Sequence, residues 1–190
     1  VEFFRQHRVD AVAVCFLNSY ANPAHELEAQ RILKRELPGV YIAISAEVSR
    51  EFREFERTST VVADAYVGPL FISYLDKLES ELETLLGESG RLVIMHSGGG
   101  LMSVERARHR PHTTIESGPA AGVIAAAELG VQVGIPSVIS FDMGGTTAKA
   151  SLVEKGQPRT LSMFGIGEGQ HGGIGGRITG IPIRSPIVDV

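Results

Sequence analysis

Glycine is spread very unevenly along this 190-residue chain, and that distribution constrains the fold more than any other feature. Only Gly39, Gly68, Gly87 and Gly90 precede residue 95, and the other 18 of the 22 follow it. A residue without a β-carbon permits close backbone approach and left-handed turns, but weakens the interiors of helices and strands. The first half is therefore suited to regular elements, and chemistry that needs backbone contact with a ligand is expected after residue 95.

The chain carries enough apolar residues, 43%, to build a core around its 21% charged residues, which excludes wholesale disorder and collagen-like repeats. Its longest apolar runs, Ala11 to Leu17 and Pro119 to Ala127, fall short of the roughly 20 residues that cross a membrane, so no membrane partner is expected. With Cys15 alone there is no internal disulfide and no Cys-x-x-Cys zinc spacing, which reads as an intracellular, cytoplasmic chain. A net charge of −4, no Trp and no basic block give no footprint for nucleic acid. The opening Val1 and the closing apolar run Ile187-Val-Asp-Val190 suggest an internal fragment of a longer protein.

The amino-terminal pattern is strand, helix, strand. Asp10 to Leu17 is a continuous β-branched run of the kind covered on both faces, preceded by a short helix over 1–8. Asn22 and Pro23 open a helix reaching Leu37, Pro38-Gly39 stops it, and Val40 to Ile44 is a second strand. The charged stretch Ser49 to Arg57 reads as a solvated connector. Thr58 to Leu86 is helical, with a kink or break expected at Gly68-Pro69. Beyond it, Phe71, Ile72, Tyr74, Leu75, Leu78, Leu82, Leu85 and Leu86 form an expected core-facing stripe.

After residue 90 strands and glycine-bearing loops alternate. Arg91 to Met95 is a strand running into His96-Ser-Gly-Gly-Gly100, and Ser103 to His109 is a short helix. Pro111 is expected to hold His109 and His112 in an extended segment. Pro119 to Gly130 is a helix of small residues suited to packing closely on a sheet, and Ser137 to Phe141 and Ala148 to Val153 are strands. Residues 165–180 contain eight glycines and read as a mobile loop or hairpin tip. Cys15, within an apolar strand, reads as a buried structural thiol.

Three of these loops carry residue types suited to anion chemistry. In Asp142-Met-Gly-Gly-Thr-Thr147 adjacent glycines let N–H groups face a phosphate, Thr146 and Thr147 supply hydroxyls, and Asp142 is placed to hold Mg²⁺. The competing reading is a plain hairpin turn. His96-Ser-Gly-Gly-Gly100 ends a strand, where open α/β sheets bind ligands, or is simply a flexible turn; His96 is a candidate base or a structural residue. Glu116-Ser-Gly-Pro119 opens a helix whose free N–H groups suit an anion, with Ser117 placed to cap and Glu116 a candidate base or metal ligand. The same residues also suit a helix start packed by small side chains.

The segments Phe52-x-x-Phe-Glu-Arg-Thr-Ser-Thr60, Ala65-Tyr-Val-Gly-Pro69, His96 to Ser103, Ile115 to Ala127 and Asp142 to Thr147 occur in an order that resembles the A subunit of the hydantoinase and oxoprolinase family. The resemblance implies an α/β fold with a mixed sheet flanked by helices, in the actin-like and sugar-kinase-like (ribonuclease H-like) ATPase superfamily. It implies that ATP and Mg²⁺ or Mn²⁺ activate the carbonyl of a small cyclic amide such as a hydantoin or 5-oxoproline for ring opening, together with a B-type subunit. On that basis Asp142 meets the metal. Ser97, Gly98, Gly99, Ser117, Gly118, Gly144, Gly145, Thr146 and Thr147 meet the nucleotide, and His96 and Glu116 are the catalytic candidates. Residues 1–57 would close an amino-terminal subdomain and 58–190 would open the catalytic one. Where the family often continues its clamp with Thr and Asp, this chain has Ala148 and Lys149, and Lys149 is suited to neutralising phosphate charge. The family's amino-terminal Asp-x-Gly-Gly-Thr segment is absent from these residues, so the isolated fragment is expected to be inactive. A sugar or acyl kinase, a ketone carboxylase subunit and a non-catalytic nucleotide-binding module are the alternatives.

Overall fold

The computed structural model describes residues 1–87, 90–145, 147–167 and 180–190. Thr146 and most of the glycine-rich run, including His171, lie outside the described residues. In chain order the first elements are α1 (Glu2–Gln6), β1 (Ala11–Val14), α2 (Ala24–Glu36), β2 (Tyr41–Ile44), α3 (Ser45–Val48) and α4 (Glu54–Leu86). Then come β3 (Val93–Met95), β4 (Leu101–Ser103), α5 (Val104–His109), a 3-10 turn (Pro111–Thr114), α6 (Ser117–Gln132), β5 (Val138–Met143) and β6 (Ala148–Glu154). Short strands β7 (Gln157–Pro158), β8 (Thr160–Leu161), β9 (Phe164–Ile166), β10 (Ile181–Ile183) and β11 (Ile187–Val188) follow. The architecture is mixed α/β, with helices and small sheets of two or three strands. Among the described residues no helix is long and apolar enough to cross a membrane.

Two compact units share the chain. The first comprises residues 1–92, 108–112 and 181–184, the second 93–107, 113–180 and 185–190. In the first, β1 and β2 pair in parallel from Ala11 opposite Tyr41 to Val14 opposite Ile44. Alternation along β2 explains why its apolar run is unbroken. Ile42 and Ile44 join Val12, Val14, Leu33 and Leu37 in one core, while Ala43 turns to a second with Val48, Val61 and Ala65 of α3 and α4. Each buried Val, Leu or Ile side chain contributes about 1.5–3 kcal/mol. Helix α2 starts one residue later than expected, with Pro23 rather than Asn22 at the cap position, and the Asn22 Oδ1 accepts the Ala24 N–H at 3.1 Å.

Helix α4 departs from expectation in three ways. It begins at Glu54, inside the stretch read as a solvated connector, because Arg57 is 1% exposed rather than solvated. Its Nη1 and Nη2 donate to the carbonyls of Glu51 at 2.9 Å and Phe16 at 2.7 Å, and the guanidinium lies over the Tyr20 ring. The helix also runs unbroken through Gly68-Pro69 for 33 residues. Of the stripe beyond it only Leu75 is fully buried, and Tyr74, Leu85 and Leu86 are exposed, since periodicity defines a face without supplying what covers it. A buried cluster joins α4 to residues 108–112. The Tyr41 hydroxyl donates to Asp64 Oδ2 at 2.8 Å, and the His112 N–H and Nδ1 lie 3.1 and 2.5 Å from Asp64 Oδ1. This contact and the 3-10 turn replace the extended segment expected around Pro111, since the His112 N–H must face inward to reach Asp64. Cys15 lies just past β1, half-buried, and accepts the Thr58 hydroxyl at 3.1 Å.

In the second unit β5, β6 and β7 form an antiparallel sheet. The small face of α6 packs on it as its composition suggests, with Ala120, Val123 and Ala127 against Val153 of β6 and Val188 of β11. The β3–β4 hairpin was not expected from sequence beyond its first strand; Leu101–Ser103 returns antiparallel, with Met95 opposite Leu101.

Candidate nucleotide site

All three glycine-bearing loops fall within the second unit. The loop 96–100 closes the β3–β4 hairpin, with the His96 N–H donating to Gly100 O at 2.9 Å and the Gly99 N–H to His96 O at 2.9 Å. Its glycines follow from local geometry. A β-carbon at Gly100 would sit 2.5 Å from His96 Nε2, and one at Gly98 would sit 3.1 Å from the same ring. Gly99, at φ +85°, would meet Ile124 of α6 at 2.8 Å. The loop is wrapped around an imidazole. The Gly98 N–H donates to His96 Nδ1 at 3.1 Å, which fixes Nδ1 as the unprotonated nitrogen. Burial, and after it the charge of Arg106, hold His96 below the ordinary imidazole pKa, so the ring is kept neutral.

Ser97 is fully buried, and its groups are used within the unit. Its N–H donates to Thr113 O at 2.7 Å and its carbonyl accepts the Val188 N–H at 2.8 Å. Its hydroxyl accepts the Glu116 N–H at 3.0 Å. It therefore positions the start of α6. Ser117 occupies the first helical position rather than the cap, and Glu116 stands at the cap position without a capping bond from its side chain. The Glu116 carboxylate instead accepts Lys149 Nζ at 2.5 Å, with both side chains mostly buried.

Lys149 lies on β6 directly opposite Asp142 on β5. Paired residues of antiparallel strands project to the same face, so the carboxylate and the lysine share the side on which Ser151 and Val153 are buried. Residues 144–147 connect the strands, with the Gly144 N–H donating to Thr147 O at 3.0 Å. This is the strand-turn-strand arrangement that the sequence suggested. Unlike the glycines around His96, Gly118, Gly144 and Gly145 have no local reason to be glycine. None has a positive φ, and a β-carbon at each would meet nothing within 4 Å. Asp142, Gly144, Gly145, Thr147 and Gly118 are exposed.

The structure thus links the three motifs in one chain of contacts: Ser97 to Glu116, Glu116 to Lys149, and Lys149 across the strand pair from Asp142. No local pattern announces the role of Ser97, and the Glu116–Lys149 pair joins residues 33 apart in sequence. Among the described residues no group of three or more His, Cys, Asp and Glu side chains is arranged for a metal ion. The donor set fits only the mode in which Mg²⁺ keeps most of its water and touches one carboxylate beside phosphate oxygens. Asp142 forms no ion pair among the described residues, whereas Glu116 is already neutralised by Lys149.

A family model described as hydantoinase/oxoprolinase matches residues 57–190, and one described as its N-terminal region matches residues 1–37. An uncharacterised protein of Methanocaldococcus jannaschii is 39% identical over 189 residues, spanning 100% of this chain and 28% of that protein. Caprolactamase subunit alpha of Pseudomonas jessenii is 35% identical over 157 residues, 83% of this chain and 22% of the relative. The 5-oxoprolinase of Saccharomyces cerevisiae is 32% identical over 185 residues, 96% of this chain and 13% of the relative. The crystal structure of the ATP-dependent caprolactamase from Pseudomonas jessenii matches 98% of this chain with TM-score 0.67 and 28% identity, over 26% of its own chain. Nucleotide-free acetone carboxylase matches 98% with TM-score 0.78 at 21% identity, over 25% of its chain, a likeness of fold. The chain spans less than a third of the length of these relatives. With models of both regions matched in order, the chain belongs to the hydantoinase/oxoprolinase family.

Proposed function

We propose that this chain supplies the phosphate-binding part of an ATP-dependent enzyme that opens cyclic amides of the hydantoin or 5-oxoproline class. The observation that carries the reading is the contrast among glycines. Gly99 and Gly100 are held to glycine by their surroundings, whereas Gly144 and Gly145, next to the Asp142–Lys149 pair of β5 and β6, border open space. Backbone N–H groups there suit polyphosphate oxygens at close range. In this reading Gly144, Gly145, Thr146 and Thr147 hold the phosphates and Ser117 and Gly118 present the start of α6 to the nucleotide. Ser97, Gly98 and Gly99 maintain the loop that positions Glu116.

Asp142 is the residue that would meet a divalent cation accompanying the nucleotide. When bound, the cation neutralises phosphate charge. Rate enhancement from the chain's own residues comes from positioning and charge complementarity rather than covalent chemistry. His96, held neutral, and Glu116 are the proton-handling candidates. Residues 1–57 close the amino-terminal subdomain and 58–190 open the catalytic one. A B-type subunit completes the enzyme, in keeping with a relative that is named as a subunit.

The test is Asp142→Asn in the complete protein. Its side chain is exposed, so the melting temperature should hold. Phosphate release from ATP with Mg²⁺ and 5-oxoproline or caprolactam should fall at least about 100-fold, the scale on which loss of one charge-stabilising group acts. Unchanged turnover would remove the assignment. ATP-dependent carboxylation of acetone with bicarbonate, without ring opening, would move the protein to the carboxylase branch.

A further inference from the structure

The Glu116–Lys149 pair is unusual in its placement rather than in its existence. It is mostly buried, yet it stands at the base of an exposed turn. Two partly desolvated charges recover their lost hydration only through a partner of opposite sign. Removal of either leaves the other poorly satisfied, unless another charge arrives. The two partners differ in freedom. Glu116 is fixed at its backbone by the Ser97 hydroxyl and by the first turn of α6, whose Ala120 N–H donates to Glu116 O. Lys149 carries a compact ammonium on a flexible four-carbon stem, anchored on β6 two residues beyond Thr147.

Resting on the nucleotide reading above, we propose that Lys149 is an exchangeable counter-ion: it neutralises Glu116 in the free protein and transfers to a polyphosphate seated at Gly144 and Gly145. The transfer is an exchange of ion pairs and breaks no covalent bond. A polyphosphate carries several negative charges on oxygens that accept strongly, so it competes effectively with one carboxylate for the ammonium. Glu116 is then released as a free carboxylate at the start of α6, where the helix dipole favours it. Binding of the nucleotide and unmasking of Glu116 become one event.

The exchange has a signature in binding that does not depend on turnover. In the complete protein, ATP affinity is measured by calorimetry in EDTA, which removes any contribution of a divalent ion. Lys149→Met should weaken ATP binding about 10-fold or more, and Lys149→Arg should stay within about 3-fold of the parent. Glu116→Gln removes the competitor for the ammonium and should tighten binding about 3- to 10-fold. In the double variant that gain should vanish, because the carboxylate acts through Lys149. Should Lys149→Met fail to fold, Lys149→Gln, which retains a donor for Glu116, carries the same expectation. Unchanged affinity in Lys149→Met, or a Glu116→Gln gain that persists in the double variant, overturns the exchange and leaves the nucleotide reading standing. A parent protein that binds no ATP overturns both.

Discussion

His96 shows how much a single side chain can dictate in its surroundings. Three consecutive glycines follow it, and each is explained by the ring or by α6 rather than by a ligand. The imidazole is kept neutral by burial and by Arg106, and its Nδ1 accepts the Gly98 N–H. Its pKa should therefore lie below the ordinary 6.5 when histidine ring signals are followed by NMR across pH. The unfolded chain takes up the proton first, so between the ordinary value and the folded one the unfolded state binds more protons. Stability is fully present above pH 6.5 and declines as the pH falls through the folded pKa. A titration at or above 6.5 would overturn the expectation that burial and Arg106 disfavour the charged ring. The sequence presented His96 as a lone candidate beside a flexible glycine run. Steric exclusion by a ring is invisible in a list of residues, because any loop of glycines satisfies the same pattern.

At the scale of elements, the close approach of α4 to β2 depends on Gly68. A β-carbon there would lie 2.6 Å from the Tyr41 ring. That ring has little room to yield, since its hydroxyl donates to buried Asp64, which also holds His112. Burial and the neighbouring Asp64 charge push the Tyr41 phenol well above its ordinary pKa, so it remains a donor throughout the physiological range. Alanine in place of glycine inside a helix normally stabilises by about 1 kcal/mol. Here overpacking wins, and Gly68→Ala should destabilise by about 1–3 kcal/mol in chemical denaturation. A stabilised variant would show that α4 shifts freely over β2. The same contact explains what was legible and what was not. Strand, helix and strand over the first 45 residues followed from local signals, because caps and alternation act within a few residues. The continuity of α4 through Pro69, the burial of Arg57 and the exposure of the leucine stripe depend on what packs against each residue, and spacing does not encode that.

For the whole molecule, the decisive fact is that the residues proposed for binding sit in one unit, while the chain covers between 13% and 28% of the three relatives compared. Each unit has its own core, with Ile44 and Val61 in the first and Val123 and Val153 in the second, so a site can be held in place without being complete. The order of the motifs was readable from sequence because the turn chemistry is local. Their convergence was not, since it runs through Ser97, whose hydroxyl meets an N–H 19 residues away, and through the Glu116–Lys149 pair. Phosphoryl transfer needs groups on several sides of the reacting oxygen and exclusion of water from it. Gly118, Gly144, Gly145 and Asp142 are instead exposed. The 190 residues alone should therefore give no ATP-dependent ring opening of 5-oxoproline or caprolactam, measured by chromatography of the opened product alongside released phosphate. The complete protein with the proposed B-type subunit should give both products in proportion. Coupled turnover by the isolated chain would show that these residues make a whole site.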